Sequence, residues 1–211
     1  MNTSKTLELA KLRAERLGIM NIVVASETGL SAVKALDLFT DRTLIVVSSA
    51  AGTVVPDTPI GDLEIGLPDE EIVTELRNGG AKIVRGTDPF WNISAHIPLL
   101  DTGKLGMKFY EVICSGIHVC MSAVLEATDA GYLKKKEEVV ALAGSWVGLD
   151  TAIVAKASNA VDFFDDFEVN EIICKPREAK YQWPIEGKGW RGNYEKYEKF
   201  ATESEKNNVK C

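Results

Sequence analysis

Ser26-Glu27-Thr28-Gly29-Leu30-Ser31 packs three hydroxyls, a carboxylate and a glycine into one short turn ahead of an apolar-periodic segment. Such a turn at a helix start lets backbone N–H groups, the helix dipole and the side-chain hydroxyls converge on an anion, and phosphate can be held there without a lysine. A plainer account covers the same residues. Ser26 or Thr28 caps the helix, and Gly29 relieves a tight bend.

A second glycine-bearing turn, Gly144-Ser145-Trp146-Val147-Gly148-Leu149-Asp150-Thr151, follows an apolar run, at the end of a strand where open sheets place ligands. There Trp146 closes one side of a ligand, with Gly148 and Asp150 beside it, or else Trp146 fills a surface groove and Asp150 fixes the turn. Neither glycine segment ends in the Lys-Ser or Lys-Thr of a nucleotide-hydrolysing loop, and neither has dinucleotide glycine spacing. No cofactor is expected.

The two histidines differ in setting. His118 lies four residues after Cys114 on one helical face, so the two share a side and offer two metal ligands, but two ligands do not make a site. No metal is expected, and His118 reads as a core histidine. His96 sits in an irregular stretch without a visible serine, cysteine or carboxylate partner for acid–base or nucleophilic work. Glu111, Glu126 and Asp129 lie on or just after an apolar helix, where exposure at its margin or a bond to a neighbouring turn accounts for them. The acidic run Asp162 to Glu168 reads as a solvated loop or helix start whose hydrophobic face is Phe163, Phe164 and Phe167.

Positioning these residues requires strands alternating with helices. Leu7, Ala10, Ala14 and Leu17 mark a helix over 5–17, stopped at Gly18; residues 19–25 form a short β-branched run; Ala32, Val33, Leu36 and Phe39 mark the next helix. Residues 44–47, 81–84, 138–143, 151–155 and 169–174 read as further strands, and 69–76 as a helix. Between Gly86 and Gly106 the prolines and glycines predict an irregular excursion, followed by a long apolar helix over 107–129 that is central or makes a subunit contact. The expected fold is an α/β three-layer sandwich around a mainly parallel sheet, spanning residues 1–177. Residues 178–211, aromatic and charged, form an extension that packs over the domain or onto a neighbour.

The 211 residues suffice for one well-packed domain with an appendage and are too few for a catalytic barrel of about 250 residues plus a second domain. A net charge of −7 leaves no basic footprint for nucleic acid or anionic lipid. Cys114, Cys120, Cys174 and Cys211 have no paired short spacing and read as reduced thiols. With neither a signal-like prefix nor an apolar run of membrane-spanning length, the expected location is cytoplasmic, with no membrane partner.

Taken in order, Val23-Val24-Ala25-Ser26-Glu27-Thr28-Gly29-Leu30-Ser31-Ala32, Asp129-Ala130-Gly131, Gly144 to Ala152 and Glu171-Ile172-Ile173-Cys174-Lys175-Pro176-Arg177 resemble the free-standing proteins similar to the C-terminal domain of pyruvate kinase. The likeness covers about residues 5–177. It implies a three-layer α/β domain that supports assembly and, in many full-length members, binds a phosphorylated sugar effector. Ser26 to Ser31 would match the phosphate-cradling turn, and Gly144 to Asp150 loosely the effector loop, where spacing and side chains depart from the kinase pattern. The barrel, its metal carboxylates and its phosphoenolpyruvate site are missing, so pyruvate kinase activity does not transfer.

The leading expectation is a self-associating, homo-oligomeric domain that binds a small phosphorylated or anionic metabolite through Ser26, Glu27, Thr28, Gly29 and Ser31, with Trp146, Gly148 and Asp150 opposite. The alternatives are an enzyme acting on a phosphorylated sugar or related metabolite, using His96, Asp88 or Asp150 for proton transfer, and a structural oligomerisation protein.

Overall fold

A computed structural model describes residues 3–58, 61–90, 112–144 and 148–177. The elements follow as α1 (Thr3–Leu17), β1 (Asn21–Ala25), α2 (Leu30–Leu38), β2 (Thr43–Ser49), β3 (Thr53–Thr58), β4 (Gly61–Ile65), α3 (Glu70–Asn78), β5 (Lys82–Gly86), α4 (Ser115–Asp129), β6 (Glu138–Ala143), β7 (Thr151–Lys156), a 3₁₀ turn (Ala160–Asp162), the one-turn helix α5 (Phe163–Asp166) and β8 (Glu168–Cys174). The expected excursion after Gly86 and the extension from 178 onward lie largely outside the described residues.

Six strands form one sheet in the order β5-β2-β1-β6-β7-β8. The first four are mutually parallel, with Val24 opposite Val46 on one side and Leu142 on the other. The last two turn antiparallel, Val140 facing Val154 and Val154 facing Glu171. The mainly parallel α/β sheet expected from the sequence is therefore present, with an antiparallel flank that the apolar runs alone do not distinguish.

Side chains alternate across the sheet with period two. Ile22, Val24, Val46, Val140 and Leu142 point into a core covered by α1, α2 and α3, while Val23, Ile45, Val139, Ala141 and Ile153 point into a second core under α4. Both faces are dry, which is why these strands read as continuous rather than alternating apolar runs.

Two elements differ from expectation. β3 and β4 form a separate two-stranded antiparallel hairpin, with a pairing irregularity between Val55 and Thr58 around Pro56, which has no N–H for the ladder. Among the described residues, α4 begins at Ser115 because Cys114 is extended, at φ −179° and ψ 155°; the expected helical stretch 107–111 lies outside them. The helix expected from residue 69 begins one residue later, at Glu70, because Asp69 caps it, accepting hydrogen bonds from the amides of Glu71 (2.8 Å) and Ile72 (3.3 Å).

Candidate functional site

The strand order reverses beside β1. After β1 the chain builds β2 and then β5 on one side, and returns to place β6 on the other. In open α/β sheets the crevice outside the carboxyl ends of the two strands at such a reversal is where ligands bind. The segments leaving those ends are the two glycine turns, 26–29 after β1 and 144–150 after β6.

In the first turn, Ser26 and Thr28 are buried, Glu27 is exposed and Ser31 is half-buried. Gly29 has φ +89° and occupies the N-cap position of α2, where no side chain caps the helix. Capping by Ser26 or Thr28 is therefore corrected: the chain reaches the helix through a left-handed residue, a conformation that glycine adopts without the Cβ penalty. The first helical bond runs from the Val33 amide to the Gly29 carbonyl (2.9 Å), so the amides of residues 30–32 have no partner inside the helix. A Cβ on Gly29 would overlap the Ile72 side chain, so α3 packs directly over the turn.

Three contacts hold this turn in place. The Ser26 amide donates to the Val47 carbonyl (2.9 Å). The Glu27 carboxylate is folded back on the end of β2, accepting from Ser48 Oγ (3.0 Å), the Ser49 amide (3.1 Å) and Ser49 Oγ (2.9 Å). The Glu27 carbonyl accepts from the amide of Leu67 (2.8 Å), a buried non-glycine residue at φ +59°. Arg85 Nη2 in turn donates to the Leu67 carbonyl (2.8 Å), while its Nε is buried and makes no hydrogen bond. Arg85 thus brings a guanidinium to the roof of the turn. Strand patterning gave no sign of it, because residue 85 reaches residue 27 only through tertiary neighbours, the Leu67 bridge and Ser48, which lies opposite Arg85 in the β2–β5 register and donates to the Glu27 carboxylate.

The second turn is anchored from the other end of the chain. Thr3 Oγ1 accepts from the Leu149 amide (3.0 Å) and Thr6 Oγ1 donates to the Leu149 carbonyl (3.3 Å), with both threonines buried on α1. A Cβ on Gly144 would overlap the Gly148 carbonyl oxygen, so the loop closes backbone against backbone. Asp150 Oδ1 accepts from Thr151 Oγ1 (2.7 Å), and Gly116 in the first turn of α4 packs against Thr151. Trp146, expected to close this side, lies outside the described residues, as does His96.

A polar row crosses α4 at helical spacing: His118, Ser122 and Glu126. His118 is buried, stacks edge-on against Phe90 with ring centroids 5.4 Å apart, and sets Nε2 3.2 Å from Asp88 Oδ2, within ion-pairing distance but off the line of a hydrogen bond. Asp88 Oδ1 accepts from the Phe90 amide (2.8 Å) and Ser122 Oγ (2.9 Å). Burial pushes the Asp88 carboxyl up, but the imidazole, the amide and the hydroxyl together outweigh it and hold the group below its ordinary value. Cys114 turns instead toward Thr151 Oγ1 (3.5 Å), so the structure does not join Cys114 and His118 at one point. Among the described residues, no three His, Cys, Asp or Glu side chains form a group that could hold a metal ion.

Glu126 departs from the exposed reading. Its residue is half-buried, and Oε2 is sealed from solvent without a hydrogen-bond partner. That oxygen occupies the space over Gly86, where any side chain would collide with it. Burial, then the charges of Asp88, Glu27 and Asp129, push its carboxyl up to about 7. Asp129 makes the bond to a neighbouring turn that the sequence suggests, accepting from Asn159 Nδ2 (2.8 Å) and the Ala160 amide (3.2 Å). The acidic run near it is salt-bridged: Lys135 lies 2.8 Å from both Asp162 and Asp166.

Asp88 and Asp150, named as alternative proton-transfer groups, are held by different partners, Asp88 by Ser122 and the Phe90 amide and Asp150 by Thr151. The described residues contain no helix long and apolar enough to cross a membrane. No protein-family model matches the chain.

Proposed function

We propose that this chain binds a small phosphorylated or otherwise anionic metabolite at the crevice between the Ser26–Ser31 turn and the Gly144–Asp150 loop, in a self-associating domain of the pyruvate kinase C-terminal type without kinase activity. One observation carries the reading: both glycine turns leave the carboxyl ends of β1 and β6, adjacent parallel strands at the point where strand order reverses. The uncapped start of α2 supplies amides without a partner inside the helix and the positive end of a helix dipole, and the Arg85 guanidinium, paired with Glu70 at 3.7 Å, stands near the same turn.

The ligand is oriented rather than transformed in this account. Hydroxyls of Ser26, Thr28 and Ser31 and the amides of residues 30–32 take the anionic group, and the loop ending at Asp150 meets the rest of the molecule. Calorimetric titration with sulfate and with a panel of sugar phosphates tests it, using the wild-type chain and the combined Ser26→Ala, Thr28→Val, Ser31→Ala variant. Binding that weakens at least tenfold in the variant is the expected result. Unchanged binding, or none in the wild type, removes the assignment.

A further inference from the structure

The turn read above as the anion site carries its own carboxylate, Glu27, and a second carboxyl, Glu126 on α4, lies over the end of β5. The Glu126 environment is assembled from three elements. Gly86 at the end of β5 leaves the space that Oε2 fills, the loop after β5 brings Asp88, and the turn after β1 brings Glu27. From its own helix, Asp129 adds a further negative charge, and His118 is engaged with Asp88 one helical turn beyond Ser122. Oε2 meets no donor in this enclosure.

An ionised Glu126 is therefore a half-buried negative charge whose Oε2 meets no donor, and a protonated one is neutral. We infer that protonation of Glu126 regulates the crevice, which takes anions more tightly when Glu126 is protonated than when it is ionised. The inference rests on the anion-binding reading above and adds its control. The link has a geometric path: Gly86, beneath Glu126 Oε2, lies opposite Ser49 in the β2–β5 register, and Ser49 donates its amide and hydroxyl to the Glu27 carboxylate, so a charge on Glu126 is felt at the turn that Glu27 belongs to. Glu126 itself does not touch the anion. Its carboxyl gains or loses a proton near neutrality, the range in which a modest change in pH changes its charge.

Sulfate is a suitable probe because its charge is constant over the range examined, whereas phosphate titrates within it. Sulfate affinity of the wild-type chain, measured by calorimetry from about pH 6 to about pH 8, is expected to weaken by about fivefold, the scale of one added charge acting across several ångströms at intermediate dielectric. Glu126→Gln is expected to flatten that dependence while still binding sulfate. Glu126→Met serves the same comparison if the amide variant fails to fold. His118 and Asp88 remain in both variants, so any dependence they cause persists and is separable. Equal pH dependence in wild type and variants overturns the regulation while leaving anion binding intact. Absence of sulfate binding at every pH overturns both.

Discussion

The α-carbon of Gly144 faces the carbonyl oxygen of Gly148 so closely that a methyl group at position 144 would overlap it. Both atoms belong to backbone, so neither can rotate away as the tip of a long side chain would. Gly144→Ala is expected to destabilise the protein by about 3 kcal/mol, the upper part of the range for overpacking a closed site. Urea denaturation reads the loss, and a change under about 0.5 kcal/mol would show that the loop opens freely.

Left-handed geometry and steric contact can be separated with two other glycines. Gly80 has φ +85° with open space around its α-carbon, whereas Gly29 has φ +89° and faces Ile72. Gly80→Ala should cost about 1 kcal/mol from backbone strain alone, and Gly29→Ala at least about twice that. Thermal unfolding of both variants, with Gly29→Ala combined with Ile72→Ala as the relief experiment, checks the difference. Equal costs would mean that α3 gives way to the added methyl.

Much of this framework is legible in the chain. The run 138–143 is the whole of β6, 151–155 lacks one residue of β7, and the helix expected over 69–76 is α3, shifted to Glu70–Asn78, because burial on both faces and helical spacing leave local signatures. The β3–β4 hairpin is not legible, since Pro56 and the irregular pairing around it break the simple alternation. Of the candidate site, the two glycine turns are visible, but Thr3, Thr6 and Arg85 are not, and Glu126 is visible only as a charge on an apolar helix. Each acquires its role through a contact across the fold, and a neighbour 143 residues away, as for Thr6 and Leu149, has no periodicity to reveal it.

Thr3 offers a direct test of that long-range pinning. Thr3→Val keeps the shape of the side chain but removes the acceptor for the Leu149 amide, leaving a buried donor unsatisfied at a cost of about 1–3 kcal/mol. Hydrogen exchange at the Leu149 amide should accelerate more than at central β1 amides. Uniform acceleration would place the effect in global stability instead.

Acidity should act on stability through Glu126 in a defined direction. Its carboxyl is raised in the folded state from 4.5 to about 7, so the stabilisation that protonation provides is complete below about pH 4.5 and is lost as pH rises through about 7. The whole shift corresponds to about 3 kcal/mol; solvent screening of the half-buried group reduces the expected loss to on the order of 1 kcal/mol. Asp88, held low, works oppositely: its contribution is present above its ordinary value of 3.8 and disappears as pH falls through its lowered one. Guanidinium denaturation at pH 5 and pH 8 should show the wild type weaker at the higher pH and Glu126→Gln nearly level. A wild type that strengthens by pH 8 would contradict the assignment.

The central place of β1 has a consequence during synthesis. It pairs with β2, some twenty residues downstream, and with β6, more than a hundred residues later. A chain emerging from the ribosome can build β1, β2 and β5 early, yet one side of β1 must stay bare until residue 143 is out. For that interval β1 is an open sheet edge, able to pair with another nascent chain. The arrival of β6 therefore brings the two glycine turns side by side and closes that edge in the same step.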